Sequence, residues 1–246
     1  MNLSYRTYRI PKGKSGKFRK ISEPNEELKA WQLGVLKKLY EVKPHLVNHG
    51  FVPSKSIATN AKPHVGKTNV LSLDIEKFFP NTNKTKVSKI LKEKFPEYEN
   101  VIERFLLNGS LPQGAPTSPY IANFALDRFD EIIYEYTQLN NISYTRYADD
   151  LTFSWIGKID LKVFLSFLNE NLRESKYRFA KRKTKLMHKS KRQIVTGIIV
   201  NEKLNIPYEV RNNLRAYNHL IETDNFEKSK INWVNGLNGY LNMKNI

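Results

Sequence analysis

Hydrophobic residues follow two spacings along this chain, and each spacing predicts one kind of secondary structure. Apolar positions three and four residues apart are typical of helices with one buried face. They occur in five groups, which span residues 28–39, 87–95, 121–136, 161–172 and 210–221. Ser118 and Pro119 form a favourable helix start before the third group. The tail to Ile246 suggests one more short helix.

Shorter runs of β-branched and aromatic residues predict strands between these helices. Such runs are found at 10–21, 70–75, 144–154 and 194–201. The first is a basic segment punctuated by glycine, which predicts a hairpin, and the last has a turn-forming Thr-Gly pair inside it. The third predicts a hairpin with Asp149 and Asp150 at its tip, and the second is an apolar run in which Asp74 is the exception.

Asp74, Asp149 and Asp150 are the candidate chemical residues. A carboxylate on a buried strand costs several kcal/mol unless it is paired or coordinates a metal, and adjacent carboxylates raise each other's pKa. If the two strands are neighbours in one sheet, the three carboxylates converge and can hold two Mg²⁺ ions about 3.5–4 Å apart, the arrangement for phosphoryl transfer. The alternatives are an ion pair between Asp74 and Lys77 and an ordinary solvated turn at the aspartate pair.

The net charge points to a polyanionic partner. The 246 residues include 41 Lys and Arg against 24 Asp and Glu, which gives a formal charge of +17. Nucleic acid is the commonest partner of such a protein. Solubility alone needs only about 2 to 8 charges, and an anionic membrane surface ranks lower because no long amphipathic basic helix stands out. Basic residues are densest at 176–192, where Tyr177 and Phe179 are interleaved, which favours a nucleic-acid track or, in part, a solvated face.

The absence of cysteine excludes disulfides and cysteine-based zinc sites, and favours a cytoplasmic protein. The first ten residues are polar and basic, so no signal peptide is expected. The longest apolar runs are far too short to span a membrane. We therefore expect no membrane partner.

Three segments resemble the motifs of reverse transcriptases, in the order that this family shows. Tyr-Ala-Asp-Asp at 147–150 is similar to the palm signature, Leu73–Pro80 to the first catalytic-aspartate motif, and the proline-rich loop Leu111–Pro119 to the loop that touches the template–nucleotide pair. The resemblance implies an α+β, right-hand polymerase fold with an antiparallel palm sheet flanked by helices. It implies interleaved fingers and palm in residues 1–206 and a short helical thumb in 207–246.

Two further segments resemble motifs of bacterial retron reverse transcriptases. Asn60 and His64 fit an Asn-Ala-x-x-His motif, and Val195, Thr196 and Gly197 fit a Val-Thr-Gly motif that the family associates with recognition of its own non-coding RNA. The resemblance implies an RNA-directed DNA polymerase that makes short single-stranded DNA (msDNA) from dNTPs on a structured RNA, primed from a guanosine 2′-hydroxyl. It also implies anti-phage defence beside a separate effector protein.

The resemblance assigns a role to each motif residue at the predicted metal site. Asp74, Asp149 and Asp150 are the implied catalytic residues, and with Ile75 they form the implied site for two Mg²⁺ ions. We expect Asp74 and Asp149 to be the direct ligands. Asp150 is expected to be less directly placed, because adjacent residues of a strand point to opposite faces.

Further residues are assigned to the nucleotide. Lys17 and Arg19 are expected to hold the triphosphate, although a solvated basic loop is the alternative, and Gln113 is expected to face the incoming nucleotide. Phe79 is expected to clash with a ribose 2′-hydroxyl and so select dNTPs, with an ordinary core aromatic as the alternative. Lys183 matches a lysine proposed to protonate pyrophosphate, with Lys181 and Lys185 close by.

Two other readings stay open. The chain could be another bacterial reverse transcriptase, of the group II intron-like or abortive-infection type, although the two retron motifs speak against it. It could also be an RNA-binding scaffold with a silent polymerase, although such a module gains nothing from three metal-site carboxylates. The chain is shorter than this family leads us to expect, so the thumb is expected to be minimal, and no RNase H-like acidic cluster is evident.

Overall fold

Helices and antiparallel strands alternate along the residues that the computed structural model describes, which are 3–11, 16, 18–223, 235 and 239. The helices are α1 Glu26–Leu39, α2 Ile57–Ala61, α3 Phe78–Asn81, α4 Lys84–Lys94, α5 Ser118–Phe124, α6 Asp127–Leu139, α7 Leu161–Glu174 and α8 Tyr208–Glu222. The strands are β1 Tyr5–Pro11, β2 Phe18–Pro24, β3 Asn69–Asp74, β4 Ser143–Tyr147, β5 Asp150–Trp155, β6 Lys185–His188, β7 Ile194–Val195 and β8 Ile198–Ile199. Within these ranges, no helix has the length and apolar character needed to cross a membrane.

The central sheet has the strand order β4-β5-β3-β6, and its neighbouring strands are antiparallel. β4 and β5 form the predicted hairpin, whereas β3 pairs with strands that are remote in sequence. The register sets Asp74 of β3 directly opposite Asp150 of β5. The expectation that the two aspartate-bearing strands are neighbours is therefore confirmed.

The two faces of this sheet carry different side chains, because alternate residues of a strand point to opposite sides. Leu71 and Leu73 of β3 and Phe153 of β5 belong to the main core. There the ring of Phe153 meets the edge of Phe164 of α7 at 5.2 Å between centroids. Val70 belongs instead to a second, smaller cluster with residues of α2 and of the β7–β8 hairpin. Asp74, four residues beyond Val70, lies on this second face.

One helix differs from the prediction. The helical spacing over 121–136 predicts one helix, but the chain leaves helical geometry at Leu126, where φ is −119° and ψ is 10°, and α5 and α6 are separate. The apolar residues stay in phase across the break, so periodicity alone does not reveal it. The turn predicted at the Thr-Gly pair is present: Ile194–Val195 and Ile198–Ile199 form a hairpin with positive φ at Thr196 and Gly197, the backbone of a tight hairpin turn. The helix suggested for the tail lies outside the described residues.

The predicted basic hairpin is confirmed as β1 paired with β2, with Ile10 opposite Arg19. It docks on the proline-rich loop through a backbone hydrogen bond from Ser22 N to Gln113 O at 2.8 Å. Gly114 makes this approach possible. Its φ is +123°, and a Cβ there would lie 2.8 Å from both Ile21 Cγ2 and Ser22 O.

His64 fastens the end of α2 to the second face of the sheet. Its ring is fully buried, with Nδ1 2.7 Å from Ser154 Oγ and Nε2 2.8 Å from Thr145 Oγ1. Burial is the main reason that the pKa of His64 falls from 6.5 to about 3, and the positive charges of His49 and Lys67 add to the effect. The folded protein therefore keeps this imidazole neutral where the unfolded chain protonates it.

We expect the free energy of unfolding to fall as pH drops from about 7 to about 4. Below pH 6.5 the unfolded chain is protonated at His64, whereas the folded protein is not. The free energy of unfolding therefore falls by up to about 1.4 kcal/mol per pH unit. Urea denaturation of the wild type and of His64→Gln across this range measures the effect. The free energy of unfolding should change less steeply with pH in the variant than in the wild type. Identical slopes would contradict the lowered pKa of His64.

We also expect Gly114→Ala to lower the free energy of unfolding by about 2 kcal/mol, because the methyl group would force the loop away from β2 in addition to straining the backbone. Gly157→Ala is the matched control. Gly157 also has a positive φ, +81°, but a Cβ there meets nothing within 4 Å, so only backbone strain of about 1 kcal/mol is expected. Equal losses in urea denaturation would show that the contact with β2 is unimportant.

Candidate active site

The acidic residues converge where β3 ends and the β4–β5 hairpin turns. Beyond the register pair Asp74 and Asp150, the backbone N–H of Ile75 donates to Asp149 O at 2.9 Å. Ala148, directly before the aspartate pair, has φ +55°, an uncommon value for a residue with a Cβ. This turn carries Asp149 to the end of β3, so three carboxylates share one edge of the sheet.

A cavity of about 550 Å³ opens at this edge, and residues from distant parts of the chain line it. The predicted site residues among them are Arg19, Asp74, Ile75, Phe79, Gln113, Asp149 and Lys183. Asp150 is exposed and does not line the cavity, and its less direct part in metal binding stays a prediction. Lys17 lies outside the described residues.

Lys183 neutralises Asp74. Its Nζ lies 2.5 Å from both carboxylate oxygens of Asp74. The approach is set by the backbone, since Ala180 N donates to Asp74 O at 2.7 Å and so lays the segment before Lys183 along the end of β3. Lys77 was the wrong choice of alternative partner, because the ion pair of Asp74 is with Lys183.

Asp149 and Asp150 are left with unfavourable electrostatics. Loss of hydration, followed by the negative charge of Asp74, raises the pKa of Asp149. The side chain of Asp150 reaches solvent at the sheet edge, but the protein around its carboxyl group removes part of its hydration. This loss, followed by the charges of Asp149 and Asp74, raises the pKa of Asp150 to about 7. These carboxylates thus lie close together with too little positive charge to balance them.

The chemistry of this donor set fits a hard divalent cation. Carboxylate oxygens of Asp74 and Asp149 line one cavity with Ile75, and oxygen donors are what Mg²⁺ prefers. The ammonium of Lys183 already satisfies Asp74 as a cation would. Among the described residues, no three His, Cys, Asp or Glu side chains are gathered as a finished metal shell. By their chemistry the carboxylates of Asp74 and Asp149 fit a divalent cation, while in this structure Lys183 is the cation paired with Asp74.

Phe79 is both a cavity-lining residue and a packed one. Its ring is partly buried against the main core and lies 5.8 Å from that of Phe78, between centroids. The two readings of Phe79 are therefore compatible.

The retron-type motifs lie apart from this cavity and meet each other. Asn60, fully buried, donates from Nδ2 to Thr196 Oγ1 at 3.3 Å, and Val195 packs in the small cluster beside α2. Asn60 and His64 contact protein groups, whereas Gly197 is exposed at the tip of its turn. Recognition of RNA by these residues stays a prediction.

The two aromatic residues of the basic segment face the core, and nucleic-acid binding by its basic residues stays a prediction. Tyr177 and Phe179 are buried, with 1% and 8% of their surface exposed, so neither ring is available to stack on a base. Tyr177 instead packs on Phe78 and shares a 2.7 Å hydrogen bond with Thr82. The alternation of basic and aromatic residues arose because the aromatic ones face the core.

The sequence did not lead us to predict a buried ion pair that contacts the turn before Asp149. Arg146 of β4 and Asp130 of α6 are both fully buried and bonded to each other. The signal was present, since Arg146 stands in a β-rich run as Asp74 does, and the same argument about buried charge applies.

Comparisons with known proteins agree with this geometry. Residues 10–223 match the family model for reverse transcriptase (RNA-dependent DNA polymerase). The retron Mx65 reverse transcriptase of Myxococcus xanthus is 32% identical over 98% of this chain and 61% of its own length. The retron Ec86 reverse transcriptase of Escherichia coli is 32% identical over 89% of this chain and 71% of its own.

A solved structure of apo telomerase from Candida tropicalis, truncated from its C-terminal domain, shares the fold, with a TM-score of 0.60 at 12% identity. The match covers 83% of this chain and 55% of the telomerase chain. The predicted α+β polymerase fold with an antiparallel palm sheet is confirmed. This chain, which spans about three fifths of the Mx65 relative, belongs to the reverse transcriptase family, and within it to the retron type.

Proposed function

We propose that this chain is an RNA-directed DNA polymerase that copies a cognate structured non-coding RNA into short single-stranded DNA, the msDNA, starting from an RNA 2′-hydroxyl. The observation that carries the proposal is the single cavity that gathers Asp74 and Asp149 with Arg19, Gln113 and Lys183. Membership of the retron type supports the RNA template and the msDNA product. The charge of +17 supports a polyanionic substrate.

Asp74, Asp149 and the backbone of Ile75 would hold two Mg²⁺ ions, with Asp150 beside them. Bound there, Mg²⁺ lowers the pKa of the attacking hydroxyl and stabilises negative charge at the reacting phosphorus. Asp74 ends the paired strand β3, which supports a site whose carboxylates would need little reorganisation during the reaction.

The remaining cavity residues orient the nucleotide. Arg19, together with Lys17, holds the triphosphate by charge and bidentate hydrogen bonds. Gln113 faces the nucleotide from a loop that is hydrogen-bonded to Ser22 of β2 and packed against it at Gly114, so the residues that contact the triphosphate and the base are held to each other. Lys183 leaves Asp74 when the carboxylate is otherwise neutralised, and its Nζ then gives a proton to the departing pyrophosphate.

The proposal extends to organisation and context. Residues 1–206 belong to the interleaved fingers and palm, in which β1–β2 belongs to the fingers and the central sheet to the palm, and the thumb region, 207–246, begins with α8. The protein works in the cytoplasm on dNTPs and its own RNA. It serves anti-phage defence with a separate effector protein, as the retron resemblance implies.

Asp149→Asn tests the proposal. The change keeps the size of the side chain but removes the charge that holds metal, so extension of a DNA primer on an RNA template with dNTPs and Mg²⁺ should fall at least about 100-fold. RNA affinity should persist, because that depends on the basic surface. Asp160→Asn, the same change at the exposed N-cap of α7, is the control and should stay active. Undiminished extension by Asp149→Asn would refute this cavity as the polymerase site, and a wild type that binds RNA but extends no primer would favour the scaffold reading.

Phe79→Ala tests sugar selection. Removal of the ring opens space in the cavity, so the kcat/KM ratio of rNTP to dNTP should rise by about 10-fold or more. Steady-state incorporation of matched rNTP and dNTP pairs measures this ratio. Phe167→Ala, which removes a partly buried ring from the core outside the cavity, controls for loss of packing. An unchanged ratio would remove Phe79 from this role.

A further inference from the structure

The guanidinium of Arg146 donates hydrogen bonds both to the carboxylate of Asp130 and to backbone carbonyl groups. Towards α6, Nε lies 3.0 Å from Asp130 Oδ1 and Nη2 lies 2.5 Å from Oδ2, a bidentate pair. Towards the catalytic turn, Nη1 donates to Ala148 O at 3.0 Å, and Nη2 donates to Asn123 O at 2.8 Å. One side chain therefore connects α6, the end of α5 and the residue before Asp149.

Asp130 anchors this arrangement in the core. Besides Arg146, it accepts hydrogen bonds from Tyr144 Oη at 2.7 Å and from Asn48 Nδ2 at 3.1 Å. The carboxylate is fully buried, and its partners come from β4 and from the loop after α1. Several buried hydrogen bonds therefore fix the carboxylate, and through it the position of the guanidinium.

Residues 47–50 also contact the turn. Arg146 N donates to Val47 O and His49 N donates to Arg146 O, both at 2.8 Å. Asn123 Nδ2 donates to Gly50 O at 2.9 Å, and a Cβ at Gly50 would lie only 2.7 Å from Ala148 N. The turn is thus held between the loop at Gly50 and the guanidinium.

Stability alone does not explain this ion pair. Two charges removed from water repay their desolvation only with excellent geometry, and apolar replacements of such pairs are often neutral or stabilising. The turn, however, needs support, because Ala148 has a positive φ that is uncommon and unfavourable for a residue with a Cβ. The bond from Arg146 to the Ala148 carbonyl supplies that support at the residue that aims Asp149.

We propose that Arg146, fixed by Asp130, is a positioning residue that holds the turn at Ala148 so that Asp149 faces the same cavity as Asp74. The assignment rests on the proposed polymerase function for its catalytic consequence. The geometric consequence of the assignment, which is the placement of two metal-binding carboxylates, does not depend on that function.

The test uses the double variant Arg146→Met with Asp130→Asn and the single variant Arg146→Lys. The double variant removes both charges, while the new amide oxygen at position 130 can still accept from Tyr144 and Asn48, so no unpaired charge is buried. The lysine keeps the charge opposite Asp130 but lacks the planar fork that also reaches Ala148. In both, kcat for primer extension should fall about 100-fold through misplacement of Asp149, with little change in the Kd for primer–template. Mn²⁺ binding by the free protein, measured by EPR titration, should weaken as well.

Tyr144→Phe is the matched control. It removes one hydrogen bond to Asp130 from the same buried network but leaves the contact with Ala148 in place. It should lower the urea denaturation midpoint while kcat and Mn²⁺ affinity stay as in the wild type.

Folded variants with wild-type kcat and Mn²⁺ affinity would overturn the inference. Failure of both to fold would assign the pair to stability and would overturn it too. If the wild type extends no primer, the proposed function fails, and the Mn²⁺ titration of wild type against the variants still tests positioning by itself.

Discussion

Repulsion between like charges at the end of β3 is the constraint on which the rest of the structure depends. Antiparallel pairing sets Asp74 against Asp150, and the turn adds Asp149, so three carboxyl-bearing residues stand at one edge of the sheet. Such a cluster is tolerated only where surrounding groups hold it together. Here the strand ladder, the ammonium of Lys183 and the fastened turn at Ala148 do so, and the remaining imbalance of charge is what suits the site to divalent cations.

The two-sided sheet explains how this acidic edge coexists with a stable core. One face of β3 and β5 packs Leu71, Leu73 and Phe153 into the main core. The other face is covered at one end by the small cluster around Val70 and by the buried His64, and it opens at the other end into the cavity. The retron-type motifs belong to the covered end, where Asn60 meets Thr196. Their side chains thus build the surface that presents Gly197.

Much of the local structure follows from the sequence because its causes are local. Hydrophobic spacing indicates the helices that became α1, α4, α7 and α8, and the aspartate hairpin is read from its strand residues and its turn. The break at Leu126 was missed because apolar residues remain in phase on both sides of it. The burial of Tyr177 and Phe179 was not predictable for a related reason, since an aromatic residue among lysines has the same appearance in the sequence whether it faces water or the core.

By itself the sequence determined the element types, the family and the identity of the acidic residues, since these depend on side-chain chemistry and short-range spacing. Only the tertiary structure decided which cation pairs with Asp74, which aromatic residues are buried, and that Arg146 reaches from Asp130 to the turn of Asp149. These contacts join residues up to 109 positions apart. They depend on how strands are ordered in the sheet and on how helices pack against it, and no pattern within one segment contains that information.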